Sequence, residues 1–116
     1  MKKLSEIIKK IQKDNNEGGN KMAQRIGVSN SQISLIVNDK RRITDKLIYK
    51  ILDSYELTPE QRKEFKEAAY FSYDTYEFNV KGLSEDRKQF LQEIFKVYKT
   101  IKTKDIYKIL SILKNY

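Results

Sequence analysis

Residues 21–38, Lys-Met-Ala-Gln-Arg-Ile-Gly-Val-Ser-Asn-Ser-Gln-Ile-Ser-Leu-Ile-Val-Asn, constrain the fold more than any other stretch. They read as two short helices joined by a tight turn. Met22 and Ile26 are four apart and share one helical face. Ala23 beside them is small enough to let a second helix cross closely. Gly27 is predicted to end the first helix, because a left-handed backbone is cheap only for glycine. Val28 fills the corner, and the Ser29 hydroxyl is placed to cap the next helix. In that helix Ile33, Ile36 and Val37 face inward. Asn30, Ser31, Ser34 and Leu35 are left outside; at ~100° per residue, Leu35 lies about 200° round from Ile33 and is expected to be exposed.

The rest of the chain supplies helices around this pair. Leu4, Ile7, Ile8 and Ile11 follow helical spacing over Leu4 to Lys13. A polar loop with two glycines follows, and Asn20 is the expected cap of the second helix. After the third helix, Asp39-Lys40-Arg41-Arg42 is a turn with three cations in a row. Thr44 is set to cap a fourth helix reaching about Leu57, with Leu47, Ile48, Ile51, Leu52 and Tyr55 buried. Thr58-Pro59-Glu60-Gln61 combines a capping box with proline at the first helical position. The fifth helix then runs to about Phe71, burying Phe65, Ala68 and Ala69.

Beyond it, Tyr70, Phe71, Tyr73, Tyr76 and Phe78 place five aromatics in nine residues. The alternation of Tyr76, Phe78 and Val80 fits a short strand or an extended arm. The window either packs on the chain's own helices or forms a subunit interface, where Tyr and Phe are enriched; Tyr73, Tyr76 and Phe78 are the candidates. Gly82 breaks the chain. Ser84 is the expected cap of a sixth helix carrying Phe90, Leu91, Ile94, Phe95, Tyr98 and Ile101, and Thr103 that of a seventh carrying Ile106, Ile109, Leu110 and Leu113. A hairpin of about 30 residues is too small for its own core. It is expected to dock on the first module or on a second subunit, with Phe90 and Ile94 in the contact. The pentapeptide Ile-Tyr-Lys-Ile-Leu at 48–52 returns at 106–110, one short match that does not make a repeat.

The fold class is therefore all-α: a five-helix domain over 1–71, then an aromatic connector and a C-terminal αα-hairpin over 72–116. One proline and four glycines in 116 residues agree with this. There is no cysteine, hence no disulfide framework, and no histidine, the commonest general base and zinc ligand. The net charge of +8 suggests a polyanionic partner. It divides as +5 over 1–58, −2 over 59–93 and +5 over 94–116, so the middle is expected to stay off any polyanion. Glu6, Lys9 and Lys10 interrupt any leader-like apolar run, and no stretch approaches the ~20 apolar residues of a membrane span. A cytoplasmic protein without a membrane partner is expected.

With Ala23 and Gly27 at two small positions and Met22, Ile26, Val28, Ile33 and Ile36 at five apolar ones, residues 21–38 resemble the helix-turn-helix of the lambda repressor and Cro family, also called the XRE family. Five helices in this order extend the resemblance over 1–71. The tail more loosely resembles C-terminal extensions of small phage-type XRE regulators. One departure is Gly19, where members often carry Gln or Ser against a phosphate; the backbone N–H groups of that helix start are still available.

The resemblance implies a sequence-specific double-stranded DNA-binding transcriptional regulator, with repression by promoter occlusion as its simplest form. It would act as a homodimer on a palindromic operator, third helix in the major groove. Asn30, Ser31, Gln32, Ser34 and Leu35 would read bases, Asn by pairing with adenine and Leu against a thymine methyl. Lys21, Asn38, Lys40, Arg41 and Arg42 would hold phosphates. Two other readings stay open: an antitoxin-type autorepressor whose C-terminal hairpin binds a protein partner, and an interaction adaptor without DNA binding. No paired-carboxylate site, glycine-rich phosphate loop or metal-ligand cluster is visible, so neither an enzyme nor a cofactor is expected.

Overall fold

Seven helices make up the regular structure of the computed structural model, which describes residues 2–116. They are α1 (Leu4–Asp14), α2 (Gly19–Ile26), α3 (Asn30–Val37), α4 (Asp45–Ser54), α5 (Pro59–Phe71), α6 (Glu85–Val97) and α7 (Thr103–Leu113). The chain forms two units, the first running to Glu77 and the second starting at Phe78.

In the first unit α2 packs on α3 and α4, α1 on α3 and α5, and α4 on α5. The apolar stripes read from the spacing are the ones that meet. Ile8, Met22, Ile48, Ile51, Leu52 and Phe65 lose essentially all solvent contact. Fully burying one such side chain is worth about 1.5–3 kcal/mol. Caps fix where the helices begin. The Thr44 hydroxyl accepts from Leu47 N–H, and Thr58 and Gln61 form a reciprocal capping box in front of Pro59.

In this unit two boundaries differ from expectation. α4 stops at Ser54, because Tyr55 turns into an extended conformation that sends its ring into the core. α2 begins at Gly19 with Gly18 as its cap; the Gly18 carbonyl accepts from Met22 N–H at 3.1 Å, which places Asn20 inside the helix instead of at its cap.

The connector is irregular from Ser72 to Val80, so the Tyr76–Phe78–Val80 alternation belongs to coil. The aromatic window divides. Tyr70 and Tyr73 pack against the core of the first unit, whereas Tyr76 and Phe78 are 60% and 61% exposed. Phe71 meets Tyr76 edge to face, with ring centroids 5.4 Å apart.

The second unit holds α6 and α7, and neither helix has a buried residue. Phe90 and Ile94 are 50% and 41% exposed. Ser84 is the cap residue of α6, but its hydroxyl bonds the Asp86 carboxylate and no helix N–H. Lys102, not Thr103, caps α7: its extended backbone aims its carbonyl at the N–H groups of Asp105 and Ile106. Among the described residues no helix is long and apolar enough to cross a membrane.

Candidate nucleic-acid interface

The turn between α2 and α3 has the left-handed glycine that its sequence requires. Gly27 sits at φ +74°, and Val28 N–H donates to the Ala23 carbonyl at 3.0 Å. Met22, Ala23 and Ile26 from α2 are buried with Ile33 and Ile36 from α3, which fixes the two helices to each other. Ser29 opens α3 with a capping box: its hydroxyl accepts from Gln32 N–H, and the Gln32 side-chain oxygen accepts from Ser29 N–H, each at 3.2 Å. Gln32 was expected among the base readers, and its carboxamide oxygen is engaged in this box.

Asn30, Ser31 and Ser34 stand exposed on one side of α3. Asn30 also packs back on α2. A Cβ on Gly19 would lie 2.9 Å from the Asn30 Oδ1, so the missing side chain at Gly19 makes room for the Asn30 carboxamide. Asn38 donates from Nδ2 to the Ser34 hydroxyl at 3.1 Å, joining two candidates across one turn. Leu35 is half-buried, not freely exposed as its helical angle suggested. The chain reverses at Asp39 (φ +57°), and the N–H groups of Lys40 and Arg41 return to the Leu35 carbonyl at 2.8 and 3.2 Å. A helical projection ignores this returning turn.

The three consecutive cations do not behave alike. Lys40 and Arg41, like Lys21 at the start of α2, are exposed and make no ion pair among the described residues. Arg42 is turned inward. Its Nη1 donates to the carbonyl of Thr75 at 2.5 Å and its Nη2 to that of Tyr70 at 3.0 Å. Its guanidinium lies 4.4 Å from the centre of the Tyr73 ring, and its Nε is 3.7 Å from the Glu77 carboxylate.

Beside this turn is a cleft of about 210 Å³ lined by Gln32, Ile36, Arg41, Thr44, Lys46 and Lys50, among others. Lys46 and Lys50 add two cations one turn apart on α4 that the sequence reading passed over. Their i, i+4 spacing was the available signal; the apolar stripe of that helix drew the reading instead.

A second cluster that the sequence did not reveal holds this frame. The Glu17 carboxylate, 8% exposed, accepts from Tyr55 OH at 2.6 Å and from Arg25 Nε at 2.8 Å, with a second contact from Arg25 Nη2. The Arg25 guanidinium covers the Tyr55 ring at 4.7 Å. The loop before α2, α2 itself and the end of α4 are thereby tied together. Hydrogen bonds from Tyr55 and then Arg25 hold the Glu17 carboxyl below its ordinary range, while burial, followed by the neighbouring carboxylate, pushes the Tyr55 phenol up.

Two helices locked across a left-handed glycine, an exposed polar face on the second, and unpaired cations at both ends define the class: a helix-turn-helix unit built to meet nucleic acid. Residues 19–61 match the family model described as Helix-turn-helix, of the lambda repressor/Cro-like, or XRE, type. That family is a DNA-binding regulator fold and not typically an enzyme. No curated protein and no solved structure matches the chain.

Proposed function

We propose that this chain is a transcriptional repressor that binds a palindromic operator as a homodimer, with α3 of each copy in the major groove. One observation carries the reading: the exposed Asn30–Ser31–Ser34 face is flanked along the chain by exposed cations that form no ion pair among the described residues, Lys21 on α2 and Lys40 and Arg41 after α3. Asn30 is the principal base reader, through a bidentate pair with adenine, and Ser31 and Ser34 are less selective. The half-buried Leu35 keeps an apolar edge for a thymine methyl. Phosphates are held by Lys21, Asn38, Lys40 and Arg41, joined by Lys46 and Lys50 on the cleft.

So small a reading face carries little sequence information alone, and two copies one helical turn apart double it. The apolar residues of α6 and α7, Phe90 and Ile94 foremost, with Tyr76 and Phe78 of the connector, form the contact between copies in this proposal. They have no buried position in the single chain.

The test is selection of bound duplexes from a randomised library at physiological salt. A palindromic motif with half-sites about one helical turn apart is the expected outcome. Asn30→Ala should relax one base pair per half-site, a loss of about 1–3 kcal/mol. Arg41→Ala should weaken all sequences alike and lower the salt slope by about 1. A pool without a motif, or the two variants acting identically, would refute the division between readers and anchors.

A further inference from the structure

Arg42 is the one cation of the Lys40–Arg42 run whose charge is spent inside the protein, and everything it touches lies beyond residue 61, where the family match ends. Two of its nitrogens meet main-chain carbonyls, that of Tyr70 in the last turn of α5 and that of Thr75 in the connector. Its plane stacks on Tyr73, and its Nε approaches Glu77. The neighbouring residue completes the attachment: Ile43 N–H, in a buried residue, donates to the Tyr73 hydroxyl at 3.1 Å. Five contacts to four residues thus join the end of α5 and the irregular segment after it to the turn that leaves α3.

Arginine suits this place for a definite reason. A planar guanidinium can stack on a ring and bond two carbonyls at once; a lysine ammonium cannot do both in one fixed geometry. The same turn presents Lys40 and Arg41, and its N–H groups close onto Leu35 at the end of the reading helix.

We infer that Arg42 and Tyr73 are positioning residues for DNA binding: they clamp the end of α5 and the start of the connector, residues 70–77, to the basic turn and so hold Lys40 and Arg41 in register with α3. The connector segment is then a working part of the DNA-binding unit and not a tether leading away from it. The inference rests on the DNA-binding reading for its consequence. The clamp itself is testable without DNA.

The experiment uses the full chain and two charge-conserving variants, Arg42→Lys and Tyr73→Phe, with their double variant. Amide hydrogen exchange in the free protein reads the clamp. Each substitution removes about one net hydrogen bond, so Ile43 protection should fall roughly 5- to 10-fold, with helical content unchanged. DNA titrations over a range of salt concentrations read the consequence. Both variants should weaken binding by a similar factor of roughly 3–10. Their log–log salt lines should stay parallel to wild type, and the double variant should lose no more than either single one.

Wild-type Ile43 protection in both variants would overturn the clamp. Loosened exchange with wild-type DNA affinity would overturn its positioning role. A third variant, Arg42→Gln, separates the competing role: a salt slope lower by about 1, as for Arg41→Ala, would make Arg42 a phosphate contact and overturn the assignment. A wild-type chain that binds no duplex refutes the DNA reading and with it the positioning role, while the exchange data still decide whether the clamp exists.

Discussion

Gly19→Ala isolates the link between the start of α2 and the exposed polar face of α3, the proposed reading face. A Cβ added at Gly19 meets Asn30 Oδ1 at 2.9 Å, too close to persist, and the Ile33 Cγ2 at 3.9 Å, an ordinary contact. The clashing atom is the tip of an exposed side chain, so it moves at small cost: a strained rotamer costs about 0.5–1.5 kcal/mol, and a clean rotamer change less. Against this, replacing glycine in a helix gains about 0.5–1 kcal/mol, with the lower end fitting a first helical position. The two nearly cancel, and stability should change by less than about 0.5 kcal/mol. Readout should not be spared. A displaced Asn30 should lose the geometry of the bidentate pair proposed for it, about 1–3 kcal/mol, or roughly 5- to 150-fold at a single base pair.

A double-mutant cycle with Asn30→Ala makes the reasoning decisive. In that background the clash partner is gone, so Gly19→Ala should leave DNA binding unaltered and raise stability by about 0.5 kcal/mol. The assays are urea unfolding for stability and titration of operator duplexes varied at the Asn30 base pair. Two results would refute the account. One is an unchanged base preference in Gly19→Ala. The other is destabilisation beyond about 1 kcal/mol in both backgrounds, which would mean that the α2–α3 approach is limited by the helices themselves and not by the Asn30 side chain.

Gly27 offers a cleaner backbone test, because a Cβ added there would meet nothing within 4 Å and only the φ of +74° opposes a side chain. Gly27→Ala should cost about 1–2 kcal/mol in urea unfolding and Gly27→Val more, while Gly27→Asn stays near wild type; equal costs for all three would reject the left-handed assignment. The Glu17 cluster predicts a pH signature. The folded carboxyl is depressed by Tyr55 and Arg25, so its contribution is complete above the unfolded value of about 4.3 and is lost as pH falls through the lower folded value. Stability of wild type relative to Glu17→Gln should be greatest at pH 6–7 and shrink toward pH 3, about the range the linkage covers; a gap independent of pH would show that the ionised form is not what the cluster uses.

What was legible in the sequence was local. The α2–α3 pair could be read because each of its signals acts within about four residues: the stripe of Met22 and Ile26, the left-handed Gly27, the Ser29 cap, the inward Ile33 and Ile36. The polar contacts that organise the site span 28 residues from Arg42 to Tyr70 and 38 from Glu17 to Tyr55, and no periodicity records such pairings. Leu35 shows the same limit in miniature. Its helical angle pointed outward, but exposure was decided by a turn folding back from Asp39.

The run Lys40-Arg41-Arg42 is the most instructive case. Read as a string it is three equivalent positive charges, and a phosphate role for each follows from the neighbouring helix alone. In the fold the third is separated from the first two by its surroundings: two carbonyls, a ring and a carboxylate that only an approach of residues 70–77 can supply. Residue type carried part of that information, since a fork-shaped, stackable cation near an aromatic-rich segment has uses that a lysine does not. The missing part was which aromatics come near. A basic run beside such a helix therefore sets an upper bound on the cations the turn can present outward, and the rest of the chain decides how many of them stay free.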